Sequence, residues 1–155
     1  MDLTLSSRGD YCVRAAIALA GAWGSGGYRK AREISEEMAL PRAYVPELLG
    51  LLAEAGLAES KAGQAGGYRL ARDPGAVSLL EVVEAAEGPL VSRNCPLRGG
   101  PCRWENVCAL HPTWASASEA VRSTLAATSL ADVASVDRAL ARRTRARRPD
   151  PRPTA

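Results

Sequence analysis

Two short helical segments joined by a tight turn, with a glycine-rich hairpin directly after them, constrain the fold of this chain most. Residues 31–38 carry Ile34 and Met38 four positions apart, which is the spacing of one helical face. Leu40-Pro41 supplies the turn, and a second helix is predicted from about residue 41 or 42 to Ala55. Gly56 stands where a glycine commonly ends a helix. This order predicts a helix-turn-helix.

The hairpin consists of two short alternating runs, residues 57–60 and 68–71, on either side of the glycine-rich stretch 61–67. Runs of this kind around glycines predict two antiparallel β-strands. Because the hairpin follows the helix-turn-helix directly, it is interpreted as the wing of a winged helix. The alternative interpretation is a pair of unrelated helices beside a surface hairpin.

Two further helices complete the predicted head, which extends over residues 1–90. The first is predicted over residues 7–22 by its helical spacing of apolar side chains, with Ser6 or Ser7 as its N-cap. The other is predicted over residues 79–87, where Ser78 and Glu81 have the spacing of a capping box. The fold class is therefore mainly α with a small β-hairpin.

The segment after residue 112 regains helical periodicity and is predicted to form dimerisation helices over residues 113–137. A narrow apolar stripe recurs at three or four positions and is too long for so small a domain to cover. Pairing with a second copy of the chain is therefore expected, and packing across the chain's own domain is the alternative. The stripe comprises Trp114, Ala117, Val121, Leu125 and Thr128, and a short final helix carries Leu130, Val133 and Val136.

The positive charge of the chain is concentrated at its C-terminal end. The net charge is +3, but residues 138–155 contain seven arginines against the single acid Asp150 and carry +6. The other residues therefore carry −3. This segment is interpreted as a disordered basic tail. It is either an arm that binds nucleic acid by counterion release or a solvated extension without a function.

Several classes of protein do not fit this sequence. No apolar run approaches the about 20 residues that a membrane-spanning helix needs. The first residues lack a basic region followed by an apolar stretch, so a cytoplasmic location is expected. An enzyme is not expected either, because the chain has one histidine, no nucleophile–base pair and no glycine-rich phosphate loop before a helix.

Residues 91–112 form an aperiodic, cysteine-rich loop that is predicted to bind a metal centre. Six residues separate Cys95 from Cys102, and five separate Cys102 from Cys108. Clustered cysteines in an intracellular protein favour a metal site over disulfides. Zinc knuckles use tighter cysteine pairs, so these gaps favour an iron–sulfur cluster. Zinc, a redox disulfide and chance clustering are the alternatives.

A fourth ligand is needed if the protein supplies every site of the cluster. His111 lies three residues beyond Cys108, and an imidazole can replace a thiolate at such a centre. The alternative is a surface or capping histidine. Cys12 is interpreted as a small buried hydrophobic residue. Asp10, near the start of the first helix, is interpreted as a favourable charge at a helix N-terminus.

The sequence resembles the Rrf-type winged-helix transcription regulators, the family of the IscR-, NsrR- and RirA-like iron–sulfur proteins, over about residues 1–137. The resemblance implies a homodimeric DNA-binding regulator, usually a repressor. It also implies a [2Fe–2S] or [4Fe–4S] cluster that reports iron–sulfur supply, nitric oxide, iron or redox state. The matching stretches include GDYCVRA at 9–15, LPRAYV at 40–45, AGL at 55–57, GGYRLA at 66–71, LLEVV at 79–83, EGPL at 87–90 and SLADV at 129–133.

The resemblance also assigns ligands. Cys95, Cys102 and Cys108 match the cluster cysteines of the family, although the first gap is wider than in IscR- and NsrR-like proteins. In IscR-like proteins a histidine at the offset of His111 is the fourth ligand. In some NsrR-like proteins an acidic residue at the position of Asp10, from the partner subunit, completes the cluster. Cluster type and fourth ligand therefore stay open, with a preference for His111 because it is close to Cys108.

The predicted DNA-binding residues lie on the second helix of the helix-turn-helix and on the wing. The helix would enter the major groove of a palindromic operator, and the wing would contact the neighbouring backbone or minor groove. Two departures from the family, Pro46 on the helix and Ala62 on the wing, weaken the case for an IscR-type operator. The expected contacts are Arg42, Ala43, Tyr44 and Glu47 on the helix, and Lys61, Gln64 and Arg69 on the wing.

Two other functions remain compatible with the sequence. One is a cluster-free winged-helix regulator whose cysteines bind zinc or form a thiol/disulfide switch. The other is a module that binds a partner enzyme and touches DNA weakly. Assays for iron and acid-labile sulfide test the first, and the salt dependence of DNA binding tests the second.

Overall fold

The computed structural model of the 155-residue chain describes residues 4–90 and 107–146. Over these ranges it contains six α-helices and one two-stranded antiparallel sheet, which confirms the predicted fold class. The helices are α1 Ser7–Gly21, α2 Ala31–Met38, α3 Val45–Glu54, α4 Leu79–Glu87, α5 His111–Ala127 and α6 Leu130–Ala146. The strands are β1 Ala58–Lys61 and β2 Gly67–Leu70.

Helix α1 is the centre of the core and packs against α2, α3, α4 and α6. It begins with the predicted N-cap, since the hydroxyl of Ser6 accepts a hydrogen bond from the Gly9 amide at 3.2 Å. Its inward face is built mainly of small side chains, which allow the four neighbouring helices to approach closely. The buried residues of this face include Cys12, Ala15, Ala16, Ala18 and Leu19.

The turn between α2 and α3 is longer than predicted, and α3 begins at Val45 instead of residue 41 or 42. Residues 42–44 form a turn in which the Tyr44 amide donates to the Pro41 carbonyl at 3.0 Å. Pro46 consequently falls in the first turn of α3. Amides at that position have no partner within a helix, so the proline removes no helical hydrogen bond.

The wing is present, with each strand shifted by one residue from its predicted position. Glu59 lies opposite Arg69, and Lys61 lies opposite Gly67 next to the loop of the hairpin. A third segment extends the sheet, because Arg29 and Tyr68 exchange two backbone hydrogen bonds of 2.8 Å. The segment that leads into α2 is therefore attached to the wing.

The predicted capping box of α4 is confirmed. The Glu81 amide donates to the Ser78 hydroxyl at 3.2 Å, and the Ser78 amide donates to the Glu81 carboxylate at 2.8 Å. Close to this cap, the start of α6 is joined to the head by the Leu130 amide, which donates to the Val77 carbonyl at 2.8 Å. The N-terminal end of α6 is thus fixed on the head.

Helix α5 begins at His111, two residues before its predicted start, and none of its residues is buried. The predicted apolar stripe is covered only in part. Helix α5 packs against α4 of the head. Trp114 and Leu125 are half-buried, whereas Ala117 and Val121 are exposed. The alternative interpretation, packing across the chain's own domain, therefore applies to Trp114 and Leu125.

Helix α6 continues to Ala146, which corrects two predictions. The final helix is not short, and residues 138–146 of the predicted disordered tail are helical. The physical reason is composition: arginine and alanine are strong helix formers, and no proline or glycine interrupts this stretch. The remaining tail, 147–155, lies outside the described residues.

No helix in the described ranges combines the length and the apolar character that crossing a membrane would require.

Candidate DNA-binding face and candidate metal centre

The predicted DNA-binding residues of the helix-turn-helix share one exposed edge of the head. Arg42, Ala43 and Tyr44 lie in the turn before α3, not on the helix itself as predicted, and Glu47 is its third residue. All four are exposed, and Tyr44 has 55% of its surface accessible. The next turn of α3 is buried in the core. This edge can therefore approach a ligand while the opposite face of α3 is held by the head.

Most of the basic side chains on α2 and before it are neutralised by glutamates. Arg29 contacts Glu37 at 2.6 Å, and Arg32 contacts Glu36 at 2.7 Å. The hydrogen bond from Arg32, followed by its charge, lowers the pKa of Glu36. Arg42, by contrast, has no ion pair within the described part of the chain. It is the basic group of this edge that is available to a phosphate.

The three predicted DNA contacts on the wing differ in exposure. Lys61 and Gln64 are exposed, whereas Arg69 is half-buried and forms an ion pair with Glu59 directly opposite it. The hydrogen bond with Glu59 raises the pKa of Arg69. Its guanidinium also lies 4.7 Å from the centre of the Tyr28 ring, a cation–π distance. Arg69 therefore stabilises the wing from within, and its predicted DNA contact stays a prediction.

The structure adds Lys30, which the sequence did not indicate. Its ammonium group donates hydrogen bonds to the carbonyl oxygens of Gln64, at 2.6 Å, and Gly63, at 3.2 Å. Lys30 is the residue that precedes α2, so it ties the tip of the wing to the helix-turn-helix. The contact depends on the pairing of Arg29 with Tyr68, which joins segments far apart in sequence and has no local signal.

Two of the predicted cluster ligands lie together at the start of α5. His111 is the first residue of the helix, and its amide donates to the Cys108 carbonyl at 3.2 Å. Pro112, which follows, suits the first turn of a helix. Cys108 and His111 are both half-buried, so neither is enclosed in the core.

Cys95 and Cys102 lie outside the described residues, and among the described ones no three potential ligands converge. The chemistry of the donors nevertheless fits the expected centre. A thiolate and an imidazole are ligands for iron–sulfur clusters and for zinc. Cys108 and His111 can therefore hold one side of such a group.

Asp10 lies in the first turn of α1 and binds Arg14 on the same helix at 3.1 Å. In one subunit it forms no metal-binding group with other described residues. The same end of α1 is fastened to α4, because the Ser6 amide and hydroxyl donate to the Glu87 carboxylate at 3.0 and 2.6 Å. The proposed role of Asp10 concerned a cluster in the partner subunit, and it stays a prediction.

Cys12 is completely buried, as predicted. Burial raises the pKa of its thiol to about 11, because the charged thiolate loses its hydration in the core. The thiol is therefore protonated at neutral pH, and Cys12 is not available as a thiolate ligand in this structure.

Comparisons with known proteins agree with this geometry. Residues 5–136 match the Rrf2 family, described as "Iron-dependent Transcriptional regulator". The HTH-type transcriptional regulator IscR of Xenorhabdus nematophila is 31% identical over 131 residues, which cover 84% of this chain and 79% of that protein.

Solved structures show the same fold. One is CymR (YrzC), described as the global cysteine regulator of B. subtilis, with a TM-score of 0.72 and 28% identity over 87% of this chain and 98% of that one. Another is T. potens IscR, with a TM-score of 0.68 and 25% identity over 97% of this chain and 95% of that one.

These relatives are transcription regulators and not enzymes, which confirms the expectation from the sequence. The family match covers most of the chain, and the helix-turn-helix and wing lie within it. The chain is a member of the Rrf2 family of winged-helix transcriptional regulators.

Proposed function

We propose that this chain acts in the cytoplasm as a homodimeric repressor that binds a palindromic operator and senses its signal through an iron–sulfur cluster. Cys95, Cys102 and Cys108 would be the cysteine ligands. The signal would be iron–sulfur status, nitric oxide or redox state. One observation carries the proposal: Cys108 and His111, the last cysteine of the cluster motif and the sole histidine of the sequence, stand together at the start of α5.

DNA binding would use the exposed edge before α3 together with the wing. Tyr44 and Glu47 would face base edges, while Arg42 and Lys61, neither of which has an ion pair in the described ranges, would contact phosphates. The bond from Lys30 to Gln64 holds the tip of the wing toward the same helix-turn-helix. A fixed wing would lose less conformational entropy when it meets DNA.

Dimerisation would use α5, in keeping with its exposure. None of its residues is buried within the chain, and Val121 has 39% of its surface accessible. A second copy of α5 would cover Ala117 and Val121. Two heads held in this way would have a fixed spacing, which is why the operator is proposed to be palindromic.

The cluster, when bound, would supply a centre that iron loss, oxidation or nitric oxide can alter. The chain's own residues supply the connection to DNA. Cys108 and His111 stand at the start of α5, and α5 packs against α4 of the head. Any change at Cys108 therefore acts on the helix that would set the spacing of the two heads. A coupling of about 1–3 kcal/mol would be enough to switch occupancy of the operator.

The fourth ligand is proposed to be His111, with Asp10 of the partner subunit as the second candidate. His111 is three residues from Cys108 and half-buried at the start of α5. The carboxylate of Asp10 is already bound by Arg14, so a metal would have to displace that contact. The cluster is [2Fe–2S] or [4Fe–4S].

The test is to purify the protein under strict exclusion of oxygen and to measure iron, acid-labile sulfide, zinc, visible absorption and Mössbauer spectra. We expect coloured wild-type protein with iron and sulfide, and a colourless Cys102→Ala variant that is still folded. Colourless wild-type protein with stoichiometric zinc would overturn the cluster.

A second function, a cluster-free regulator with zinc or a thiol/disulfide switch, is favoured by the similarity to CymR, described as a cysteine regulator. The same measurement separates the two. A cluster-free regulator would contain no sulfide, and its DNA affinity would respond to thiol reductants or zinc chelators in the absence of iron.

A further inference from the structure

One carboxylate oxygen on α4 joins three parts of the chain. The Oε1 atom of Glu84 accepts a hydrogen bond from the Leu90 amide at 3.0 Å and another from the Arg122 guanidinium at 2.5 Å. Glu84 belongs to the head, Leu90 stands directly before the cysteine-rich segment, and Arg122 lies on α5.

In the sequence, one of the two donors precedes the cysteine-rich segment and the other follows it. Leu90 is five residues before Cys95, and Arg122 is eleven residues after His111. Eleven residues correspond to about 16 Å along a helix. Arg122–Glu84 is also the only ion pair, within the described ranges, that connects the head with the helices after the segment. The other described ion pairs lie within the head.

The contact of Glu84 with Leu90 and Arg122 is suited to transmitting a structural change from the cysteine-rich segment to α5. The side chains of Glu84 and Arg122 are only 25% and 36% exposed, so solvent and salt screen them less than a surface pair. Because both donors bind the same oxygen, a shift of the Leu90 amide changes the orientation of the carboxylate that Arg122 binds. Hydrogen bonds with charged partners are also sensitive to direction and distance.

We propose that Glu84 is a positioning residue that couples the state of the cysteine-rich segment to the setting of α5 against the head. This inference rests on the proposed function, in which that segment holds the sensor and α5 sets the spacing of two heads. The role proposed for Glu84 is neither that of a DNA contact nor that of a cluster ligand. Its role is to make the head and α5 respond together.

The test compares Glu84→Gln with the matched control Glu81→Gln. Both residues lie on α4, and both bind an arginine and a backbone amide, but Glu81 binds Arg72 and Ser78 within the head. Each substitution keeps the size of the side chain and removes its charge. Thermal unfolding of both variants verifies that they are folded.

The first readout uses metal-free protein and needs no cluster. Amide hydrogen exchange at Leu90 and along α5 is expected to become on the order of tenfold faster in Glu84→Gln. Glu81→Gln should leave both at the wild-type rate. Unchanged exchange in Glu84→Gln would contradict the proposed contact.

The second readout is the ratio of DNA affinities of the cluster-loaded and metal-free forms. We expect a wild-type ratio within the roughly 5–150-fold range of allosteric couplings. In Glu84→Gln this ratio of affinities should fall to about three or less, and in Glu81→Gln it should keep the wild-type value. Arg122→Gln added to Glu84→Gln should change it no further, because both act through one contact.

The two possible failures are distinct. If the wild-type ratio is well above one and Glu84→Gln retains it, the coupling role of Glu84 is wrong and the proposed function stands. If the wild-type protein loads a cluster but its ratio is one, the proposed sensing function is wrong, and the coupling falls with it.

Discussion

The ammonium group of Lys30 lies 2.6 Å from the carbonyl oxygen of Gln64, so the residue before α2 holds the tip of the wing. The two residues are 34 positions apart in the sequence. The Arg29–Tyr68 bridge places them side by side. The wing is therefore attached to the helix-turn-helix by a backbone pairing in its second strand and a charged hydrogen bond at its tip.

Lys30→Gln should weaken DNA binding more than the loss of one positive charge explains, because it also frees the tip of the wing. Arg32→Gln is the control: it removes an equal charge from the same helix region, but from a side chain that binds Glu36. We expect the affinity of Lys30→Gln to be roughly tenfold below that of Arg32→Gln. Fluorescence anisotropy with an operator duplex measures it, and equal affinities would contradict the role of Lys30.

Gly67→Ala should destabilise the fold, because Gly67 has a φ of 148° and an added Cβ would collide with the Arg29 backbone. We expect a loss of about 2 kcal/mol or more in the free energy of unfolding. Gly50→Ala should do the opposite and add about 0.5–1 kcal/mol, since Gly50 lies inside α3 with open space around its Cα. Urea unfolding measures both, and a neutral Gly67→Ala would show that the wing does not need this close approach.

Cys12 should make the fold less stable at alkaline pH. The pKa of its thiol is raised from 9.0 to about 11 by burial, so the folded state holds this proton more tightly than the unfolded state. Its contribution is fully present below pH 9 and is lost as the pH rises from about 9 to 11. The loss should amount to about 2–3 kcal/mol.

The measurement is chemical denaturation at a series of pH values for wild-type protein and Cys12→Ala. The variant is less stable at pH 7 because it lacks the sulfur atom, but its stability should fall less between pH 9 and 11. Parallel curves for the two proteins would show that the Cys12 thiol does not have a raised pKa.

His111→Ala should change the Mössbauer and absorption spectra of the anaerobic protein, whereas Asp10→Ala should leave them unchanged. The reason is position: His111 is at the start of α5 beside Cys108, and Asp10 is bound to Arg14. Cys108→Ala serves as the reference for complete loss of the cluster. The reverse pattern, with a change only in Asp10→Ala, would assign the fourth ligand to the partner subunit.

Elements with local signals were the ones that the sequence predicted well. The N-cap Ser6 and the capping box of Ser78 and Glu81 define the starts of α1 and α4 by contacts within three residues. The start of α3 was wrong because Pro41 and Pro46 are each compatible with a first helical turn. Only the hydrogen bond from Tyr44 to Pro41 decides between them.

The contacts that shape the candidate sites could not be predicted, because they join distant segments. Arg69 has the charge of a DNA contact, but the strand register places it opposite Glu59. Lys30 and Glu84 acquire their roles from the wing tip and from α5, respectively. The extent of α6 was missed for a different reason, since a high density of arginine was interpreted as disorder although arginine favours helices.

The most direct test of the account is the affinity of the wild-type protein for a palindromic operator duplex, measured anaerobically at fixed salt, with the cluster present and after its removal. The account predicts affinities that differ by at least about fivefold. In Cys102→Ala, which would contain no iron, the same treatments should produce one affinity. Wild-type protein that contains iron and sulfide yet binds the operator equally well in both states would contradict the central claim.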